Sequence, residues 1–243
     1  MRFSLIIPSY NNSEELIREL PPLLDFLEKK QFTVEVVIVN DGSSQVETLK
    51  KFCTENAFVL LDYEKNLGKG AAVRAGMLSA HENVRIFTDA DIPFQYSIFT
   101  DMATAFSDGN VHVVCGSRSR SDYFSRTPWY RRLGSSVFSL AVNAIMMRDL
   151  GDTQCGIKGF RSDAVEKIFP KARINGFAAD IEWLYFAGKE GYDIRWVNAE
   201  FRNAGESSVV FWKQAVRMLG EVLRLRFRTL FKRDGLRHNI SSE

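Results

Sequence analysis

Short apolar runs alternate with amphipathic segments along the first half of this chain, and almost every run ends in polar residues. The runs are 3–8 (FSLIIP), 34–41 (VEVVIVND), 57–63 (AFVLLDY), 84–91 (VRIFTDAD) and 111–118 (VHVVCGSR). Between them, residues 13–30, 46–56, 68–80 and 96–108 carry helical spacing, the first with an interruption expected at Pro21-Pro22. Strands separated by helices in this way predict a mainly parallel α/β sheet covered on both faces. Binding sites in such sheets lie beyond the carboxyl ends of the strands. Pro8-Ser9-Tyr10, Asn40-Asp41-Gly42, Asp89-Ala90-Asp91 and Gly116-Ser117-Arg118 all fall there. Four polar clusters at one edge of one sheet make a site.

The second half is less regular. Residues 131–150 read as a helix with a broad apolar surface, and the segment GDTQCGIKGFRSD (151–163) reads as turns. A helix over 180–191 and a strand over 194–202 follow, and the last thirty residues are helical and basic. No internal repeat or low-complexity linker is present. The simplest division is one domain over 1–208 and an amphipathic, basic extension over 209–243.

Charge and length narrow the classes. At 243 residues the chain can bury one large core or two small ones. Three cysteines without CxxC spacing fit reduced thiols in a cytosolic compartment better than a disulfide framework. No secretory leader is apparent, because the apolar stretch Phe3–Ile7 is short and runs into Pro8. No stretch approaches the roughly 20 apolar residues of a membrane-spanning helix. Between Val209 and Arg237 there are eight basic and two acidic residues, a net of +6 against +2 for the whole chain, so the remainder carries −4. A basic tail on a mildly acidic body predicts an anionic partner for the tail.

Two aspartates one residue apart at a strand end repel each other unless a cation lies beside them. Asp89 and Asp91 offer hard oxygen ligands, which suit Mg²⁺ or Mn²⁺ carrying a diphosphate. A lone Asp-x-Asp is more often a polar strand end or a helix cap. Here Asn40-Asp41-Gly42-Ser43, the aromatic face of Tyr10, and the glycine-rich turn NLGKGAAVRAG (66–76) with Lys69 and Arg74 accompany it. Neither a Walker phosphate loop nor a G-x-G-x-x-G after the first strand is present, which argues against a dinucleotide oxidoreductase.

SLIIPSYNN, VVIVNDGSS, NLGKGAAVRAG, FTDADIPF, VCGSR and DTQCGIKGFR occur in that order. Together they resemble the inverting glycosyltransferases of family 2, with the GT-A fold, and within them the polyprenyl-phosphate sugar synthases. DTQCGIKGFR and GFAADIEWLYFA lean toward the dolichyl-phosphate glucosyltransferase side. The resemblance covers roughly residues 3–208. It implies that Pro8, Tyr10 and Asp41 line the nucleoside pocket, with Asp41 accepting from the base. It places Asp89 and Ala90 against ribose and sugar, and Asp91 on the metal. Arg118, Arg131 and Arg202 would meet phosphates, and Lys69 would help bind the nucleotide sugar. Three positions depart from the mannose synthases, which carry an acid at Asn12, a glutamine metal ligand at Pro93 and a lysine at Ser208. A GDP-mannose donor is therefore not implied, and UDP- and GDP-hexoses stay open.

The chemistry follows from the groups. Sugar transfer builds negative charge on the departing nucleoside diphosphate, which a cation and arginines stabilise. A lipid phosphate is already ionised near pH 7 and needs positioning rather than a base. A glycan hydroxyl needs a carboxylate base, for which Asp180 and Glu182 are the candidates, although both equally suit a helix N-terminus. Asp152 lines the site or caps a turn. In the tail, Trp212, Val216, Leu219, Leu223, Phe227 and Leu230 share a helical face, with Lys213, Arg217, Arg224, Arg228 and Lys232 adjoining. Arg226 and Arg233 fall toward the apolar side and would snorkel. This pattern suits anionic lipid better than nucleic acid, or else packing on the domain. The expectation is a metal-dependent hexosyltransferase on the cytoplasmic, inner face of a membrane, acting on a polyprenyl phosphate. A glycan-directed transferase, a non-catalytic nucleotide-sugar-binding or membrane scaffold module, and a nucleotidyltransferase are the rival readings.

Overall fold

The computed structural model describes residues 1–44, 46–118, 129–146, 152–202 and 211–234, except the side chains of 129–136, 139, 211–214 and 231–234. Seven strands form one mixed sheet: β1 (Arg2–Ser9), β2 (Thr33–Asp41), β3 (Val59–Tyr63), β4 (Val84–Thr88), β5 (Val111–Arg118), β6 (Ile157–Arg161) and β7 (Asp193–Ala199). Their order across the sheet is β3-β2-β1-β4-β6-β5-β7. Strand β6 runs antiparallel to β4 and β5, and every other pairing is parallel. Among the described residues the helices are α1 (Ser13–Lys29), α2 (Glu47–Glu55), α3 (Lys69–Ser79), α4 (Ser97–Ser107), α5 (Trp129–Met146), α6 (Ser162–Ile168), α7 (Ala179–Lys189) and α8 (Phe211–Asp234), with a 3₁₀ turn at Phe169–Lys171.

Both faces of the sheet are dry. Phe3, Leu5 and Ile7 of β1 point into one cluster with Leu16, Leu20, Leu23 and Leu27 of α1. Ile6 points into the other, with Val73 and Met77 of α3 and Trp183 of α7. That period-2 division explains why β1 and β2 read as nearly continuous apolar runs. Cys53, Cys115 and Cys155 are free and buried.

Two expectations are corrected. Helix α1 is not interrupted at Pro21-Pro22, which both face solvent inside a continuous helix. An interior proline costs ~3 kcal/mol. Full burial of each of four leucines on the opposite stripe contributes ~1.5–3 kcal/mol, so burial wins. Second, the turn-rich segment contains β6 followed by α6. Its sequence, IKGFR, hides a strand because Lys158 and Gly159 break the apolar run. Gly159 is required where it is, since a Cβ there would lie 2.8 Å from the Phe106 ring.

The antiparallel β6 matters for the site. The parallel strands end at one edge, and β6 starts there, so Cys155 and Gly156 arrive beside the ends of β4 and β5. Chain order reverses between β1 and β4, which opens the crevice where ligands bind in sheets of this kind.

Candidate active site

At the end of β1, Tyr10 stands half-exposed with its backbone N–H donating to Asn12 Oδ1 at 3.0 Å. Asn11 is left-handed (φ 54°), and its side-chain oxygen accepts from the Ser44 N–H, which ties the β1 and β2 ends together. Pro8 pairs in register with Val39, one strand away. Asp41 is buried and accepts the N–H groups of Leu67 and Gly68 at 2.7 and 2.9 Å. A carboxylate has about four acceptor positions, so these two bonds fix Asp41 and leave capacity for a nucleobase N–H. Gly42 (φ +76°) allows the approach: a Cβ there would lie 2.4 Å from the Asn66 nitrogen.

The glycine-rich turn is occupied by protein. The Gly70 and Ala71 N–H groups, which open α3, donate to the Asn175 carbonyl at 2.7 and 3.2 Å. Arg74 donates to Asn175 Oδ1 at 2.7 Å. The glycines serve close packing against residues 174–179 rather than a backbone phosphate cradle. From this turn, Lys69 reaches the Asp-x-Asp segment.

Asp89, Ala90 and Asp91 leave β4 in a tight turn, with the Ile92 N–H donating to the Asp89 carbonyl at 3.0 Å. Ile92 is buried with φ 41°, a conformation that costs a β-branched residue ~1–3 kcal/mol. The surroundings hold it there. The Pro93 carbonyl accepts the Arg202 N–H at 2.7 Å, Gln95 N–H donates to the Glu200 carbonyl, and Phe94 packs on Phe201 with ring centroids 5.2 Å apart. The Arg202 guanidinium bonds Glu19 and Tyr96 and lies 4.6 Å above the Tyr96 ring. Arg202 therefore braces the turn from behind, and its terminal nitrogens are engaged by protein.

Lys69 answers the charge question. Its Nζ lies 2.5 Å from Asp89 Oδ1, an ammonium where an acidic pair needs a cation. Burial alone would lower the Lys69 pKa, but Asp89, Asp180 and Asp91 outweigh it and raise it. Asp91 stands at the open rim. Desolvation by the surrounding protein, reinforced by the charges of Asp89 and Glu15, pushes its carboxyl up to about 6. Gly156 closes the other side, where a Cβ would lie 2.2 Å from Asp89 Oδ2.

At the end of β5, Arg118 grips Asp152 with Nε at 2.8 Å, Nη2 at 2.6 Å and its backbone N–H at 3.0 Å. Burial pushes the Asp152 carboxyl up, but these bonds and the Arg118 charge hold it below the usual range. Asp152 thus orients Arg118 at the rim. The side chain of Arg131, and with it those of Trp212, Lys213, Lys232 and Arg233, lies outside the described residues, as does Ser208.

Neither candidate base is placed as one. Asp180 Oδ1 lies 2.9 Å from Nζ of Lys158, which is completely buried. Glu182, also completely buried, accepts the N–H groups of Arg173 and Ile174 at 2.8 and 2.7 Å and pairs with Arg228 of α8. Lys158 escaped the sequence reading. Its one signal was a charged residue placed among apolar ones in GIKGF.

The extension differs from the single apolar stripe expected. Met218, Val222 and Leu225 pack on the domain, while Val216, Leu223, Phe227 and Leu230 face outward. Beside them α5, which packs on α8, exposes Val137 and Leu140. Among the described residues no helix is long and apolar enough to cross a membrane.

A mixed, doubly covered sheet with an acidic pair at its switch point defines a glycosyltransferase of the GT-A type. The chain belongs to Glycosyl transferase family 2, whose profile matches residues 4–169. A dolichyl-phosphate beta-glucosyltransferase of Dictyostelium discoideum is 29% identical over 93% of this chain and 74% of its own length. The Drosophila melanogaster protein of that description is 32% identical over 77% of this chain, which spans 63% of it. Among solved structures, glucosyl-3-phosphoglycerate synthase from Mycobacterium tuberculosis, in complex with Mn²⁺ and UDP-glucose, superimposes with a TM-score of 0.70 at 13% identity, covering 93% of this chain and 78% of that one. At that identity the likeness concerns the fold.

Proposed function

We propose that this protein transfers glucose from a nucleoside-diphosphate sugar to a polyprenyl phosphate, with inversion at the sugar carbon. One observation carries the reading: Lys69 meets Asp89 beside Asp91 at the end of β4, while both candidate bases are paired to cations. With Asp180 and Glu182 both paired to cations, the described residues suit an acceptor that arrives ionised. The curated relatives named for dolichyl phosphate support the same acceptor class and sugar.

The residues divide the work. Tyr10 offers a face to the nucleobase, and Asp41, fixed by two amides, has acceptor capacity for a base N–H. Asp89 and Asp91 fit a divalent cation, since both present carboxylate oxygens and Asp89 already attracts an ammonium. When bound, such a cation supplies Lewis-acid stabilisation of the leaving diphosphate. Arg118 and Lys69 place positive charge where the leaving group develops negative charge.

The exposed apolar residues of α5 and α8, with Arg217 and Arg224 exposed beside them, suit an anionic membrane surface that presents the acceptor. We place the protein there as a peripheral enzyme. The test is purified protein with Mn²⁺ or Mg²⁺, a panel of UDP- and GDP-hexoses and a short polyprenyl phosphate, the product read by mass. UDP-glucose giving a metal-dependent lipid-linked hexose is the expected result. Product only on a glycan hydroxyl, or nucleotide binding without any product, would overturn it.

A further inference from the structure

A completely buried lysine demands a reason. Lys158 lies mid-sheet on β6, where a methionine would fill similar space without removing a charge from water. Its ammonium donates to the Cys155 carbonyl at 2.7 Å, lies 5.5 Å from the Phe87 ring, and faces Asp180 Oδ1 at 2.9 Å. The sealed Asp180 Oδ1 thus has the Lys158 ammonium as its ion-pair partner. Burial would discharge Lys158, yet the Asp180 charge outweighs it.

Asp180 in turn stands beside the catalytic rim. Its neighbour Ala179 is packed so closely on the start of α3 that a Cβ on Gly70 would lie 2.4 Å from the Ala179 Cβ. Lys69 precedes Gly70, and its ammonium lies 5.9 Å from the ring of Phe177 on the same segment. Lys69 therefore has three acidic neighbours, Asp89 in contact, and Asp180 on the core side and Asp91 at the rim acting through their fields. The order from core to rim alternates in sign: Lys158, Asp180, Lys69, Asp89.

We propose that Lys158 and Asp180 are positioning residues for donor binding, giving Lys69 a second anionic resting place so that it can release Asp89 to an incoming divalent cation. Lys158 fixes the Asp180 charge in the core. Asp180 draws Lys69 back from Asp89 and keeps it within reach of the donor phosphates. Without that draw, Lys69 competes with the cation for the same carboxylate oxygen. The inference rests on the proposed transferase reading, but its test does not need turnover.

Mn²⁺ is titrated into the full chain, with and without UDP, and the free aqua-ion signal is followed by electron paramagnetic resonance. Asp180→Asn is expected to weaken Mn²⁺ binding about tenfold, the size of coupling usual between neighbouring charges. Lys158→Met/Asp180→Asn removes both charges, which buried pairs tolerate, and is expected to melt near the wild type while keeping the tenfold loss. In a Lys69→Met background, Asp180→Asn is expected to change Mn²⁺ affinity less than twofold, because the competitor is gone. Recovery of wild-type affinity in the double variant would reduce the pair to a structural one and overturn the proposal. So would an undiminished Asp180→Asn effect without Lys69, or a wild type that binds no Mn²⁺. Mn²⁺ binding as expected with no glycosyl transfer would instead count against the transferase reading alone.

Discussion

Two lysine–aspartate pairs in this molecule share one chemistry and differ in their access to water. Lys69 and Asp89 meet at 2.5 Å with side chains 20% and 35% exposed, whereas Lys158 and Asp180 meet at 2.9 Å with 0% and 9% exposed. A pair that keeps some water can change partners more readily than one that keeps none. A dry pair cannot be half-removed, because the survivor is left charged in a medium that does not solvate it. The rim pair is therefore exchangeable and the core pair fixed. The same two residue types serve as a replaceable cation and as an anchor.

Four experiments would break or sharpen that contrast. Lys158→Ala strands Asp180 and should cost ~3–5 kcal/mol in urea unfolding, while Lys69→Ala at the partly wet rim should cost clearly less. Equal costs would end the distinction. Asp91→Ala should reverse the pattern, lowering kcat by ~10²–10³-fold with an unfolding midpoint unchanged or raised. Third, the Asp91 carboxyl, raised to about 6, makes cation binding pH-dependent. A proton competes with the metal below that value, so Mn²⁺ affinity should fall ~10-fold between pH 7 and pH 5. The sign for stability is opposite. Because the folded pKa exceeds the unfolded one, the metal-free protein gains stability as pH falls through 6 toward the ordinary carboxylate range. A flat Mn²⁺ profile would remove Asp91 from the ligand set. Last and smallest, Phe227→Ser on the outward face of α8 should move stability by less than ~0.5 kcal/mol. It should still weaken sedimentation with anionic vesicles. Met218→Ala on the inward face should cost ~2–5 kcal/mol.

The strand-end clusters were legible because polar residues at the close of an apolar run have few other reasons to be there. Asp41, Asp89, Asp91 and Arg118 were placed on one edge from alternation alone. β6 was not legible, since a strand of Ile-Lys-Gly-Phe-Arg has its lysine neutralised by a residue 22 positions away and its glycine dictated by Phe106. The roles of Asp180 and Glu182 were hidden for the same reason. Their cations come from β6 and α8, and no local spacing announces a partner across the fold. Arg202 was placed near the right turn, but its bonds to Glu19 and Tyr96 were not legible, because a sequence does not show which of its neighbours engages a guanidinium. The extension showed its outward stripe plainly but not the inward one, since a helix apolar on two sides has no single direction.

The Arg118–Asp152 clasp has a consequence for the connection it closes. The chain leaves β5 at Arg118 and returns to the same rim at Asp152, five residues before β6 begins, and a bidentate pair joins those two points. The entropy of closing a connection grows only slowly with its length. One such pair therefore holds the end of β5 beside the approach to β6 at nearly the same cost whatever length of chain runs between.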